Sequence, residues 1–448
     1  MKIYVETLGC PKNFNDSQVA MGIMEKAGHS MVSSPEDAEM MILNTCGFIN
    51  DAKKESIERI LELAEYREDG KILAVSGCLS ERYSDELFKE MPEIDVILGV
   101  NEYMNLPEIL DGIEKEKKAK SGELRGISRI KNVTHIPCGF DVDVKRKFDE
   151  NPYTATLKIA EGCNNRCSYC IIPYLRGAYR SKPMEDIMAE AEALARRGCK
   201  ELCLIAQDVT YYGVDIYKES RLPELLEKLC KIDGIRWIRL LYCYEDRIDD
   251  RLIEVMAKEP KICHYIDIPL QHASDKILKA MRRKSTKASI KKTIGKLRAA
   301  MPDIHIRTTL IAGFPGEKKA EFDELYDFVC DMKFERLGVF AYSKEEGTDA
   351  AEMHPQVRSD VKERRVNAIM QRQVEISLES NRAQIGKVLD VIVDEIDEDG
   401  SYIGRTEYDA PEIDNSVIFT SEKKLNIGDM VKVEITDAFD YDLVGVCK

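Results

Sequence analysis

Hydrophobic positions divide the chain into stretches of different period. Over residues 1–112, short apolar runs at 2–6, 39–44, 71–76 and 95–98 alternate with amphipathic stretches. Between the first two runs, Val19, Ile23 and Ala27 fall four apart on one helical face. Asp16 and Ser17 stand before them as an N-cap, and Gly28 follows as a stop. Strand–helix alternation of this kind predicts a parallel sheet with helices packed on it.

Residues 113–150 lose the period. Charge runs at 114–120 and 145–147 replace it, which reads as a solvated linker. Residues 151–376 alternate again with longer helices. Six apolar runs, at 154–160, 201–206, 237–242, 264–268, 305–312 and 336–342, are separated by helical patterns such as Ile187, Ala191, Leu194 and Ala195. Six βα units in series predict a partial (β/α)6 barrel; an open doubly wound sheet has the same periodicity. A long polar-rich helix is expected over 356–384. In the last stretch, 377–448, short strands at 388–393, 401–405, 417–420, 430–435 and 443–446 predict a small antiparallel β-barrel of the oligonucleotide-binding kind.

Composition narrows the classes. The 448 residues carry 66 Lys and Arg against 81 Asp and Glu, a net charge of -15, which disfavours broad binding to nucleic acid or anionic membrane. With 44% hydrophobic and 33% charged residues, the composition is that of a globular chain. No run approaches the length of a membrane span, and the start lacks the apolar core of a signal peptide. A cytoplasmic location is expected. There, the 14 cysteines are not expected to be structural disulfides, so ordered cysteine spacings point to metal or catalysis.

One such spacing is CxxxCxxC, formed by Cys163, Cys167 and Cys170 just after the first strand of the middle region, at the carboxyl end where barrel active sites form. Three thiolates suit an iron–sulfur cluster with one open iron. A structural zinc site lacks a nearby fourth ligand, since His135 lies well upstream. A second constellation is dispersed. Cys10, Cys46 and Cys78 each follow a predicted strand, so all three should meet along the carboxyl edge of the amino-terminal sheet. One such cysteine reads as core. Three at the same topological position read as a second three-ligand cluster site.

CxxxCxxC after the first strand of a partial barrel resembles the radical S-adenosylmethionine signature. The resemblance implies that the open iron chelates S-adenosylmethionine, which is cleaved to a 5′-deoxyadenosyl radical that abstracts hydrogen from an inert C–H bond. Together with the second triplet and the terminal small barrel, the whole chain resembles the methylthiotransferases, whose terminal barrel is called TRAM. That implies two [4Fe–4S] clusters and two uses of S-adenosylmethionine, one to methylate a sulfur on the auxiliary cluster and one to activate the substrate carbon. It also implies an electron donor such as a flavodoxin or ferredoxin. One branch of the family modifies transfer RNA. The other modifies the β-carbon of an aspartate in small-subunit ribosomal protein twelve. LGCPKN around Cys10, IIPYLRG at 171–177, RLLYCYE at 239–245, DIPLQHAS at 267–274 and FAYSKEEGT at 340–348 resemble the protein-modifying branch. Gln18 and Glu245 depart from its pattern, which has Glu and Pro there.

By the same resemblance Gln207, Asp208, Gln271 and Arg307 line the cofactor or substrate pocket. Gly313 and Gly316 follow the fifth strand and let backbone approach the cofactor or form a plain turn, and Tyr153, before the first strand, contacts the cofactor or is an ordinary interface tyrosine. Any barrel carries polar residues and turns at such places. Tyr174, Arg176 and Gly177 support the cluster loop. His272 reads as a satisfied polar residue, Cys203 and Cys263 as core, Cys243 as the thiol to watch, and Cys138 as a reactive thiol in the linker. From Ser377 to Lys448 there are 7 basic and 17 acidic residues, a net of -10. Such a barrel should repel transfer RNA and dock a basic ribosomal protein, its densest acidic run being Asp394, Glu395, Asp397, Glu398 and Asp399.

Overall fold

The structure is a computed structural model and describes residues 1–119, 128–134, 146–148 and 152–448. His135, Cys138 and Lys145 lie outside the described residues. Two compact units divide the chain. The first comprises Met1–Glu150, Glu161–Arg166 and Cys170–Lys182, the second Asn151–Ala160, Cys167–Tyr169 and Pro183–Lys448.

In the first unit, strands β1 (Lys2–Thr7), β2 (Ser30–Val32), β3 (Met40–Thr45), β4 (Ile72–Gly77), β5 (Val96–Leu98) and β6 (Ile130–Asn132) form one sheet, ordered β2-β1-β3-β4-β5-β6. Every pairing is parallel. Both faces are covered, which is why the runs read as continuous rather than alternating. Met40 and Ile42 of β3 pack on one side with Leu106, Leu110 and Ile113, while Met41 and Leu43 pack on the other with Ile60, Leu63 and Leu87. The linker expectation needs correction at three places. A helix runs Leu106–Ala119, through the expected boundary at 112. β6 belongs to the sheet, and the Lys147 N–H donates to the Gln18 carbonyl. A three-residue strand with one buried-type side chain leaves no period to read.

In the second unit, β7 (Thr154–Lys158), β10 (Glu201–Ile205), β11 (Trp237–Leu240), β12 (Ile262–Asp267), β13 (His305–Ala312) and β14 (Arg336–Ala341) lie side by side in chain order, all parallel. The short β8 (Ala160–Glu161) and β9 (Arg180–Ser181) pair with each other as a separate two-stranded sheet. A doubly wound sheet reverses its order at a switch point; a barrel wall does not. The unreversed order is that of a partial barrel. A helix at Ser359–Arg382 follows, then a closed barrel of β15 (Val388–Ile396), β16 (Tyr402–Thr406), β17 (Ser416–Thr420), β18 (Met430–Ala438) and β19 (Asp442–Cys447). It is antiparallel except for β17 with β19, whose parallel pairing closes it.

The small barrel shares a core with the amino-terminal end of the large one. Ile392 and Ala410 pack with Cys203, Trp237, Cys263 and Tyr265. Around that core lie buried charges. The Glu201 carboxylate accepts from Arg239 Nε and Arg405 Nη2, each at 2.8 Å, with both partners' side chains nearly or fully excluded from solvent. Arg336 pairs with Asp409 at 2.6 Å, and Arg307 with Asp414 at 3.2 Å. Asp394, placed in the densest acidic run, accepts from Arg405 and the Tyr153 hydroxyl. Part of the terminal barrel's acidic surplus is therefore matched internally by barrel arginines.

Candidate active site

The amino-terminal site is built where the sheet order reverses. β1 has β2 on one side and β3 on the other, and parallel α/β sheets bind ligands in the crevice outside the carboxyl ends at such a point. Cys10 follows β1, Cys46 follows β3, and Cys78 follows β4, so all three occupy this edge. All are free thiols. The loops are pressed together by glycines. Gly77 has φ +96°, and a Cβ there would stand 2.3 Å from Asn44 Oδ1. A Cβ on Gly9 would lie 3.2 Å from Cys46 Sγ.

The helix after Cys10 runs Pro11–Lys26 with proline at its first turn, starting earlier than the expected cap at Asp16 and Ser17. The correction has a cause. Lys12, Asn13, Asn15, Asp16 and Ser17 are buried although polar, because the first turns face the site rather than solvent. Asn13 Nδ2 donates to the carbonyls of Leu8 and Thr45, tying two cysteine loops together. Gln18, a departure from the family pattern, also accepts from Arg146.

Arg176 is the charged centre of this site. Nη1 donates to Asp16 Oδ2 and both Glu161 oxygens at 3.0–3.1 Å. Nη2 donates to Asn13 Oδ1 at 2.7 Å and points at Cys78 Sγ, 3.8 Å away. Burial pushes the Cys78 thiol up to about 12; the charge of Arg176 opposes this, and Cys10 and Cys46 add to it. Burial likewise raises Cys46. Such thiols ionise when a metal takes the proton's place.

The radical-type signature lies at the carboxyl end of β7. The Cys163 N–H donates to the Gly177 carbonyl at 3.1 Å, and a Cβ on Gly162 would meet the Ala178 carbonyl oxygen at 2.2 Å. Cys167 Sγ lies 3.8 Å from the Tyr244 hydroxyl. Tyr174 is exposed.

The other expected residues follow strand ends with mixed outcomes. Gln207 and Asp208 follow β10; Asp208 is buried and accepts from Thr210 Oγ1 and Arg247. Gln271, after β12, holds φ +70° and bridges β13 through backbone bonds with Thr309 and Ile311. That conformation is uncommon for a non-glycine residue and clusters at functional sites. Gly313 and Gly316 have positive φ. The backbone N–H groups of Gly313 and Phe314 both donate to Glu317 Oε2, and Arg365 pairs with Oε1 at 2.8 Å. Glu317 went unnoticed in the sequence; its one signal is a carboxylate immediately after the glycine turn. His272 accepts the Ser274 N–H at Nδ1, but Nε2 is buried 3.4 Å from Glu317 without a hydrogen-bond partner, so the expectation of a satisfied residue holds for one ring nitrogen only. Glu245 accepts from Thr293 and Ser289.

Tyr153 precedes β7 and bonds Asp394, at the opposite end of the strand from the cysteine loop, and so takes the interface role rather than the cofactor contact. Arg307 is paired with Asp267 and Asp414. Cys203, Cys243 and Cys263 are buried, Cys203 and Cys263 in the hydrophobic core.

Among the described residues, no three Cys, His, Asp or Glu side chains gather closely enough for a single metal ion. A cubane cluster binds each thiolate to a different iron, so its ligand sulfurs stand farther apart than those around one ion. Three thiolates without a fourth protein ligand suit a cluster with one open iron, whereas a structural zinc site closes with four ligands. No helix among the described residues is long and apolar enough to cross a membrane.

Residues 2–99 match uncharacterized protein family UPF0004, 157–329 the radical SAM superfamily and 385–447 the TRAM domain. The fold and its CxxxCxxC loop thus define a radical S-adenosylmethionine enzyme, a class that uses a [4Fe–4S] cluster with S-adenosylmethionine. Curated relatives described as ribosomal protein uS12 methylthiotransferase RimO span the whole chain. That of Desulforamulus reducens is 49% identical over 98% of both chains, and that of Clostridioides difficile 47% identical over 99% of this chain and 98% of its own. The chain belongs to the ribosomal protein uS12 methylthiotransferase family, whose members carry two clusters. Among solved structures, the radical S-adenosylmethionine methyltransferase TsrM of Kitasatospora setae matches at TM-score 0.54 and 13% identity, covering 75% of this chain and 72% of its own, a likeness of fold alone.

Proposed function

We propose that this chain adds a methylthio group to the β-carbon of an aspartyl residue of ribosomal protein uS12. Cys163, Cys167 and Cys170 hold the cluster that binds S-adenosylmethionine, and Cys10, Cys46 and Cys78 hold the auxiliary cluster. The observation that carries the reading is the second triplet. A simple radical enzyme needs one three-cysteine site, and a second is supported by Cys10, Cys46 and Cys78 each following a strand beside the switch point of a parallel sheet. When bound, the cluster and S-adenosylmethionine supply reductive cleavage of the sulfonium and hydrogen abstraction.

The chain's own residues bind and orient. Glu317 holds the N–H groups of Gly313 and Phe314 inward and so shapes the turn at the carboxyl end of β13. Asp208 and Arg247 fix the edge after β10. Gln207, Gln271 and Gly316 stand at the same edge and contact the cofactor or substrate. Glu395, Asp397, Glu398 and Asp399 remain exposed on the terminal barrel and favour a basic protein over transfer RNA. The electron donor is a redox protein such as a flavodoxin or ferredoxin, and the reaction is cytoplasmic.

Anaerobic reconstitution tests the assignment. Wild type should hold about eight irons and Cys46→Ala about four. A methylthio gain should appear on uS12 and not on transfer RNA by mass spectrometry. Gain on transfer RNA, or about four irons in wild type, would refute it.

A further inference from the structure

The arginine at the auxiliary site comes from outside the amino-terminal sheet. Arg176 lies six residues after Cys170, on the short helix Ile172–Arg176, and in sequence it belongs to the loop of the radical cluster. Its contacts lie elsewhere. The guanidinium is 2% exposed, and its two terminal nitrogens divide their work. Nη1 faces the carboxylates of Asp16 and Glu161. Nη2 faces Asn13 Oδ1 and the Cys78 sulfur. The planar fork is thus fixed by two ion pairs on one side and presents an N–H to a ligand sulfur on the other. Asn13, held by the same nitrogen, clasps the carbonyls beside the other two cysteine loops.

We infer that Arg176 is a positioning residue for the auxiliary cluster, setting its reduction potential through the Cys78 sulfur and holding the sheet-edge cysteines in register with the segment that carries Cys170. This rests on the proposed ligand set of Cys10, Cys46 and Cys78. Reduction adds negative charge to a cluster. A fixed positive charge and an N–H on a ligand sulfur favour the reduced form and raise its potential. The cluster held by Cys163, Cys167 and Cys170 has no such bond from this guanidinium.

The test uses the full chain, reconstituted anaerobically, with the midpoint of each cluster measured by spectroscopically monitored redox titration. In Arg176→Gln the auxiliary cluster should move to a more negative midpoint while the other stays in place. Methylthiolation should fall about 10–100-fold, the range for lost outer-shell partners of metal ligands. Arg176→Lys keeps the charge and the pairing of Asp16 and Glu161. It guards against a neutral variant that does not fold, and its auxiliary midpoint should stay near wild type. An unmoved auxiliary midpoint in Arg176→Gln overturns the inference. So does an auxiliary midpoint in Arg176→Lys that moves far from wild type, or a shift confined to the radical cluster. If wild type carries about eight irons and the midpoints do not move, only this inference fails. If wild type carries about four, the ligand assignment beneath it fails.

Discussion

Replacing Glu201 with Gln should loosen the terminal barrel from the large one. The carboxylate lies between Arg239 and Arg405, with Thr154 Oγ1 as a third donor at 3.0 Å. Gln keeps the shape but turns an NH2 toward a guanidinium, donor against donor. Burial alone would raise the Glu201 pKa, yet the two arginines hold it at about 2, below its ordinary 4.5. That difference corresponds to about 3 kcal/mol in favour of the charged form. It agrees with the roughly 3–5 kcal/mol lost when one member of a buried pair is removed. Because the folded-state pKa is the lower one, the contribution is complete above about pH 4.5 and is lost only as pH falls toward 2. At neutral pH the full effect should be seen. Amide hydrogen exchange reads local opening without unfolding the cluster-bearing unit. Amides of residues 402–406 should exchange about a hundredfold faster in Glu201→Gln. Exchange within about twofold of wild type would mean that the buried pairs do not hold the two barrels together.

Other expectations follow from single contacts. Glu317→Ala frees the Gly313 and Phe314 N–H groups; S-adenosylmethionine should bind about tenfold more weakly by equilibrium titration, and unchanged binding would remove the turn from the cofactor site. Gly77→Ala forces a side chain onto Asn44 and Thr45 at φ +96°. It should cost about 1–3 kcal/mol of strain and lower iron loading at the auxiliary site, which iron and sulfide assays would read. His305 is buried and beside the charge of Arg336, which together push its pKa down to about 4. Its neutral form is complete above about pH 6.5, so stability should fall by up to about 3 kcal/mol as pH drops toward 4. His305→Gln should flatten that profile in urea titrations at several pH values.

The strands that were legible are those with an apolar run of their own, the three-residue β5 included, and both cysteine triplets were read from their places after strands. What escaped is of another kind. β2 and β6 have three residues each, below any period. The helix after Cys10 hid its start because its first turns are buried and polar for the site's sake. Arg176 pairs with Asp16 across 160 positions of sequence, and Arg405 with Glu201 across 204. No local pattern carries such pairs. The acidic surplus of the terminal barrel was visible as a sum but not by location, and so its share spent on Arg307 and Arg336 could not be separated from the share that faces solvent.

The route of the chain also restricts how these modules can be inherited or exchanged. Residues 161–166 and 170–182 fold with the first unit, although the radical SAM match claims them. A fragment ending at residue 150, or a chimera joined there to a foreign barrel, would keep Asp16 and Asn13 but lose Glu161 and Arg176. It would then bury a carboxylate without its cation, at a cost of several kcal/mol. Recombination at that boundary should therefore succeed only where the second part brings an arginine and a carboxylate in the places of Arg176 and Glu161 to meet Asp16.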